Sequence, residues 1–173
     1  HDNQDSGIEV QTGSNDNIVR QNMSWSNGDH GFAQLYATGT LLIGNVAYDN
    51  AHEGFSVEGD ATGTRIYNCI AYNPGITVNT YCLLVDSSST AGFSADYNIL
   101  WNALVAAPVK DAPDIYTSVS ALRSATGIGL HSFGADAPRD LLIDRHHGRS
   151  DRRAQGMVAI PSLDAAGYAV PLE

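Results

Sequence analysis

The chain has 173 residues, 43% of them hydrophobic, and a formal net charge of −10. That length fits one domain with enough apolar content for a core; the acidic excess argues against nucleic acid and anionic membranes as partners, because like charges repel. No stretch approaches the ~18 apolar residues that cross a bilayer as a helix. The acids are unevenly placed: residues 1–114 hold 13 against Arg20, Arg65 and Lys110, whereas the remainder balances six acids with six arginines.

In chain order, the first element is a short pattern that returns. Gly7-Ile8-Glu9-Val10, Gly31-Phe32-Ala33-Gln34 and Gly54-Phe55-Ser56-Val57 start 24 and then 23 residues apart. Each is followed by a second echo, Asn22-Met23-Ser24-Trp25, Asn45-Val46-Ala47-Tyr48 and Cys69-Ile70-Ala71-Tyr72, and Asn98-Ile99-Leu100-Trp101 is a fourth copy after a step of 29. Such a period means stacked units, none able to bury its apolar face alone. The apolar stretches are three to five residues long and separated by Gly, Asn, Asp, Ser and Thr, as in Thr12-Gly13-Ser14-Asn15-Asp16-Asn17, so strands and turns fit and helices do not. A leucine-rich repeat is disfavoured, since the first 100 residues offer only Leu35, Leu41, Leu42, Leu83, Leu84 and Leu100.

The pattern predicts an all-β fold: a single-stranded, right-handed parallel β-helix of about four to five coils, each strand pairing with its equivalent about 4.8 Å away. Expected inward columns are Ile8, Phe32, Phe55 and Tyr81; Val19, Leu42 and Ile66; and Met23, Val46, Ile70 and Ile99. The polar column Asn22, Asn45, Cys69 and Asn98 reads as a ladder of stacked amides. Trp25, Tyr48, Tyr72 and Trp101 read as an aromatic column, internal or available for sugar stacking. Cys69 and Cys82 give no disulfide framework and read as buried packing thiols.

Residues 1–114 are expected to form the coils and 115–173 a capping segment with an irregular tail, all in one structural domain. A helix over Ser118–Ala125 is predicted to cap the C-terminal end. No comparable cap precedes Gly7, so either native sequence is missing there or a homodimer forms through the uncapped terminal coil. The absence of an initiator Met, and Leu172-Glu173 read as a remnant of cloning, suggest missing sequence. The Arg-rich stretch around Arg149 is mixed with Asp140, Asp144 and Asp151 and reads as a solvated loop.

Several phrases carry a family likeness. Asn17-Ile18-Val19-Arg20-Gln21-Asn22-Met23-Ser24-Trp25-Ser26-Asn27 and Leu42-Ile43-Gly44-Asn45-Val46-Ala47-Tyr48-Asp49-Asn50 resemble the repeats of right-handed parallel β-helix proteins of the pectate-lyase-like superfamily. Asp96–Trp101, Tyr116–Gly127 and His131-Ser132 are similar to the closing segment of secreted bacterial members. The resemblance implies a secreted or cell-surface protein that binds or processes a polysaccharide; if it is an enzyme, the classes implied are polysaccharide lyase, epimerase and glycoside hydrolase. Family lyases use an Arg or Lys base with Ca²⁺ or a basic groove, and family hydrolases use paired aspartates, to which Asp29 with Asp49 or Asp60 is the nearest approach. The alternative is a non-catalytic structural or interaction module.

The best constellation for chemistry lies just before each repeated Gly. Stacking puts Asp5, Asp29 and His52 in one column and Ser6, His30 and Glu53 in the next, within about 5 to 10 Å of one another. Carboxylates beside imidazoles suit acid–base work, so Asp29, His30, His52 and Glu53 are the candidate catalytic residues, and Asp5, Asp29 and Glu53 the candidate ligands of a Ca²⁺ ion. Glu9, Gln11 and Glu58, on outward columns that run Glu9, Ala33, Ser56, Cys82 and Gln11, Leu35, Glu58, Leu84, are the candidate substrate-binding residues. Replacing His30 and His52 together by Ala is expected to abolish glycan binding or turnover and leave the far-UV circular dichroism spectrum unchanged.

Overall fold

Short β-rich segments punctuated by turn residues stack in the computed structural model as coils of three strands; the structure describes residues 1–72, 80–102 and 108–134. The first coil holds β1 (Ile8–Val10), β2 (Ile18–Arg20) and β3 (Met23–Trp25), and the second β4 (Phe32–Leu35), β5 (Leu41–Ile43) and β6 (Val46–Tyr48). The third holds β7 (Phe55–Glu58), β8 (Arg65–Tyr67) and β9 (Ile70–Tyr72), and the fourth β10 (Leu83–Val85), β11 (Ser94–Asp96) and β12 (Ile99–Trp101). β13 (Val109–Asp111), β14 (Asp114–Tyr116) and helix α1 (Val119–Thr126) follow. His1–Ala137 forms one compact unit; the expected irregular tail, including the stretch around Arg149, lies outside the described residues.

Equivalent strands form three sheets: sheet A in the order β1-β4-β7-β10-β13-β14, sheet B β2-β5-β8-β11 and sheet C β3-β6-β9-β12. All pairings are parallel except β13 with β14. A three-residue strand points one or two side chains inward, so the core is a set of axial columns. Ile8 opposes Phe32 and Phe32 opposes Phe55, with the two phenyl rings stacked at 5.1 Å. Val19, Leu42, Ile66 and Ala95 form the column of sheet B.

Two expected columns change. The partner of Phe55 is Leu83, not Tyr81, and the partner of Ser56 is Leu84, not Cys82. The third coil is longer, with Leu83 starting β10 well beyond the repeat set by Ile8, Phe32 and Phe55, and a slip of two residues preserves which face each side chain takes while changing its neighbours. In sheet C the buried column is Ser24, Ala47, Ala71 and Leu100; Met23, Val46, Ile70 and Ile99 are in register but face outward.

Those small inward residues explain the repeated glycines. A Cβ at Gly31 would lie 2.8 Å from Ala47 Cβ and 2.7 Å from the Gly54 carbonyl oxygen, and one at Gly54 would lie 2.7 Å from Ala71 Cβ and 2.9 Å from the Cys82 oxygen. The glycines are therefore required by close approach between sheets A and C. Gly54→Ala is expected to cost about 1–3 kcal/mol through overpacking, or roughly 2–4 °C of melting temperature per kcal/mol. Differential scanning calorimetry checks this, and an unshifted melt would mean that the gap closes freely.

Corners are kept by residues in the left-handed region. Between sheets B and C one residue per coil turns the chain, with φ of 57° at Gln21, 65° at Gly44, 54° at Asn68 and 56° at Tyr97. Immediately after each corner stands the expected amide ladder. The Asn22 N–H donates to Asn45 Oδ1 at 3.0 Å, the Asn45 N–H to Cys69 Sγ at 3.4 Å, the Cys69 N–H to Asn98 Oδ1 at 2.8 Å and the Asn98 N–H to Ser132 Oγ at 3.0 Å. A second ladder follows sheet C: the Asn3 N–H donates to Asn27 Oδ1 at 3.2 Å and the Asn27 N–H to Asn50 Oδ1 at 3.2 Å.

The helix forms one residue later than expected. Ser118 is its N-cap, accepting the Ala121 N–H at 3.0 Å, and Gly127 closes it with φ of 76°. Its buried Val119 and Leu122 join the core. Beyond it the chain returns to the stack, where Phe133 bridges Ile99, so coil-like pairing continues past residue 114. At the opposite end β1, β2 and β3 are the outer strands of their sheets, and Ile18 and Met23 there are 66% and 43% exposed. Both cysteines are buried and unbridged.

Candidate functional site

Parallel stacking puts the residue before each repeated glycine directly over its counterpart, and this brings His30 and Glu53 together. His30 Nδ1 lies 3.0 Å from Glu53 Oε2, and Nε2 lies 3.4 Å from Asp29 Oδ1 and 3.5 Å from Glu58 Oε2. The Nδ1 contact is close but misaligned for a hydrogen bond, so its attraction is chiefly ionic. Glu53 precedes β7 and Glu58 ends it, so two carboxylates from opposite ends of that strand converge on one imidazole.

The electrostatics follow from this enclosure. Burial disfavours a charged imidazole, but the contacts to Glu53 and Glu58 and the negative charges of Asp29 and Glu53 outweigh it, raising the His30 pKa to about 10. The same contact to His30 acts on Glu58: against burial, and with help from the Ser56 hydroxyl that donates to it at 2.5 Å, it holds the carboxyl below its usual range. His30 is thus an imidazolium at neutral pH, fixed among three carboxylates. Glu53 is buried, whereas the side chains of Asp29 and Glu58 are 33% and 36% exposed.

The other expected site residues fall around this cluster unevenly. His52 is exposed, its ring edge-on to His30 with centroids 5.9 Å apart. Asp5 accepts the N–H of its neighbour Ser6, and only Ser6 reaches Asp29, at 3.4 Å. Among the described residues no group of three or more His, Cys, Asp or Glu side chains is arranged to hold a metal ion, so Asp5, Asp29 and Glu53 do not assemble as Ca²⁺ ligands. Glu9 and Gln11 are exposed on the first coil, away from Glu58. Glu58 joins the histidine, a junction that column order does not reveal because it depends on how far both side chains extend from their columns.

The aromatic column lies on the outside of sheet C, half-buried. Trp25 stacks on Tyr48 with centroids 5.6 Å apart, and Tyr72 on Trp101 at 4.6 Å. His1 covers the other face of Trp25 at 4.3 Å. These rings turn their faces toward one another along the axis, which leaves edges, not faces, for a sugar.

Comparison with known proteins yields one family. No curated protein and no solved structure gives a significant match. The family model of the right-handed β-helix region matches residues 1–102, more than half of the 173-residue chain. With three parallel sheets wound coil upon coil, the chain belongs to the right-handed β-helix family.

Proposed function

We propose that this chain is a polysaccharide-binding β-helix of a secreted or cell-surface setting, and that it binds at the outer edge of sheet A. The supporting observation is the His30 cluster: one imidazolium clasped by three carboxylates, of which Asp29 and Glu58 reach solvent. Carboxylates fixed in this way accept hydrogen bonds from sugar hydroxyls without further ordering. Three negative charges against one positive disfavour a uronic acid polymer and favour a neutral glycan.

The same charges favour binding over turnover at this place. An imidazole protonated up to pH about 10 is no base near neutrality. A Glu58 carboxyl held below its ordinary range is a poor proton donor. Binding therefore needs no proton transfer from either.

An array of neutral and uronic acid glycans tests this, with Asp29→Asn/Glu58→Gln as the probe and His52→Ala as a surface control. Removing two charged acceptors is expected to weaken neutral-glycan binding by at least ~10-fold, at about 1.5–3 kcal/mol for each hydrogen bond to a charged group. A wild-type protein that binds no neutral glycan, or a double variant that binds as the wild type does, overturns the reading. His30→Ala is unsuited to this test because it would leave the buried Glu53 without its counter-charge and so mix stability with binding.

A further inference from the structure

A second constellation stands on sheet B, apart from the His30 cluster. Asp96, the last residue of β11, directs both carboxylate oxygens at one turn. Oδ1 accepts the Tyr97 N–H at 2.8 Å and the His131 N–H at 2.7 Å, and Oδ2 lies 2.8 Å from His131 Nδ1. The His131 ring stacks on Tyr97 with centroids 4.6 Å apart and planes within 7°. The backbone around it is equally fixed: the Gly129 N–H donates to the Ala95 oxygen at 2.9 Å and the Phe133 N–H to the Asn98 oxygen at 2.7 Å. From α1, Arg123 donates to the Gly129 and Ser132 carbonyls at 2.9 and 2.7 Å.

An ionised carboxylate at Nδ1 keeps the proton on that nitrogen and leaves the lone pair on Nε2. The side chain of His131 is 57% exposed, and Nε2 has no partner among the described residues. A histidine whose only role was to fill a corner would not need its ring held by a carboxylate on one side and an aromatic face on another. One rung below, on the same outward face, Tyr67 is in register with Asp96 and Arg65 with Ser94, and the Tyr67 and Ser94 hydroxyls are 3.0 Å apart. Arg65 makes no ion pair among the described residues, although the chain is strongly acidic.

We propose that His131, oriented by Asp96, is a general base for hydrolysis of acyl esters on the outer face of sheet B, with Arg65 and the Tyr67 hydroxyl as donors to the developing oxyanion. A water oxygen attacks the acyl carbon as its proton passes to Nε2. The tetrahedral oxyanion collapses with cleavage of the bond to the alcohol oxygen. The imidazolium returns its proton to that leaving alkoxide, so an ester and water become a carboxylic acid and an alcohol, with no oxidant or metal required. The Asp96–His131 pair and Arg65 stand at sheet B and the carboxylates around His30 at sheet A, so the inference is independent of glycan binding there.

The test is acetate release from a peracetylated methyl hexoside by the full chain, an unactivated ester that stray imidazoles leave alone. His131→Ala is expected to lower the rate by about 10²-fold or more. Asp96→Asn keeps an oxygen for the two backbone N–H groups but presents no anion to Nδ1, so it is expected to lower kcat with little change in KM and to displace the acid limb of the pH–rate profile. Asp96 and Tyr97, which contact the ring, and Tyr67, Arg65 and Arg123 on the neighbouring segments are unchanged in His131→Ala, which separates the base from its surroundings. No release by the wild type, or equal rates for wild type and His131→Ala, overturns the proposal. Glycan binding by a protein without esterase activity would overturn it while leaving the sheet A reading intact.

Discussion

Replacing His30 by Ala is expected to destabilise the protein by about 3–5 kcal/mol, the range for removing one partner of a buried ion pair. Glu53 would then lie buried beside Glu58 and Asp29 without a counter-charge. For a chain of this size the melting temperature should fall by roughly 10 °C or more. Adding Glu53→Gln to His30→Ala should recover part of the loss, since it removes the stranded charge, and a double-mutant cycle reads that coupling. The pH dependence has a definite sign. His30 has its folded pKa raised from 6.5 to about 10, so its contribution is fully present below pH 6.5 and is lost as pH rises through about 10. Wild-type stability should therefore decline across that window by up to about 1.4 kcal/mol per pH unit. His30→Ala should lack this slope, keeping the decline that the buried thiols of Cys69 and Cys82 add to both proteins as pH rises past the ordinary thiol value of 9.0. Glu58 acts on the acid side: its lowered pKa contributes above the usual carboxylate range and the contribution is lost as pH falls through the folded value. Parallel alkaline curves for wild type and variant in urea titrations would mean that the imidazole is not charged in the folded state.

How far a sequence reveals such a molecule depends on which residues the coil geometry constrains. Gly7, Gly31 and Gly54 have no room for a Cβ, so their spacing transmits the register of sheet A directly, and Ile8, Phe32 and Phe55 stack as expected. The register slipped where that constraint changes: Cys82 follows where a glycine would stand, and the Phe55 N–H bonds its carbonyl. In sheet C the three-residue strands carry apolar side chains on both faces, so alternation gives no direction. The close approach of Ala47 and Ala71 to the glycines does identify the inward face, and the small size of these residues is its mark in the sequence. Likewise Asn3, Asn27 and Asn50 share the 24- and 23-residue spacing of the glycines, so the second amide ladder was legible.

The site was legible in part for the same reason. Columns place residues at coil positions, so His30 over Glu53 followed from register. They do not report how far a side chain travels along the sheet, and the contact of His30 with Glu58 depends on the length of both side chains. Nor did the period locate His131, because the chain reaches that rung only after a hairpin and a helix that interrupt the repeat. Its position above Tyr97 is fixed by tertiary pairing, with Phe133 bridging Ile99.

The amide ladder carries the other large effect, and Asn98 is the place to measure it. Asn98 is wholly buried; its Oδ1 accepts the Cys69 N–H at 2.8 Å and its Nδ2 donates to the Ile66 carbonyl at 2.9 Å. Asn98→Leu fills the same volume but leaves that N–H and that carbonyl unpaired in a dry interior. At about 1–3 kcal/mol for each stranded group the expected loss is about 2–6 kcal/mol. Asn98→Cys is the informative comparison, because the column already contains a thiol: Cys69 Sγ takes the Asn45 N–H at 3.4 Å and approaches the Tyr67 carbonyl at 3.3 Å. A thiol is a weak acceptor and a weak donor, so Asn98→Cys should fall between wild type and Asn98→Leu. Chemical denaturation followed by circular dichroism ranks the three, and equal midpoints would show that packing volume, not rung-to-rung hydrogen bonding, holds the coils in register. If the expected order holds, it also explains why an apolar-looking Cys can occupy an Asn column: the column requires a group that accepts one backbone N–H and donates to one carbonyl, and the strength of those bonds sets only how much stability each coil contributes.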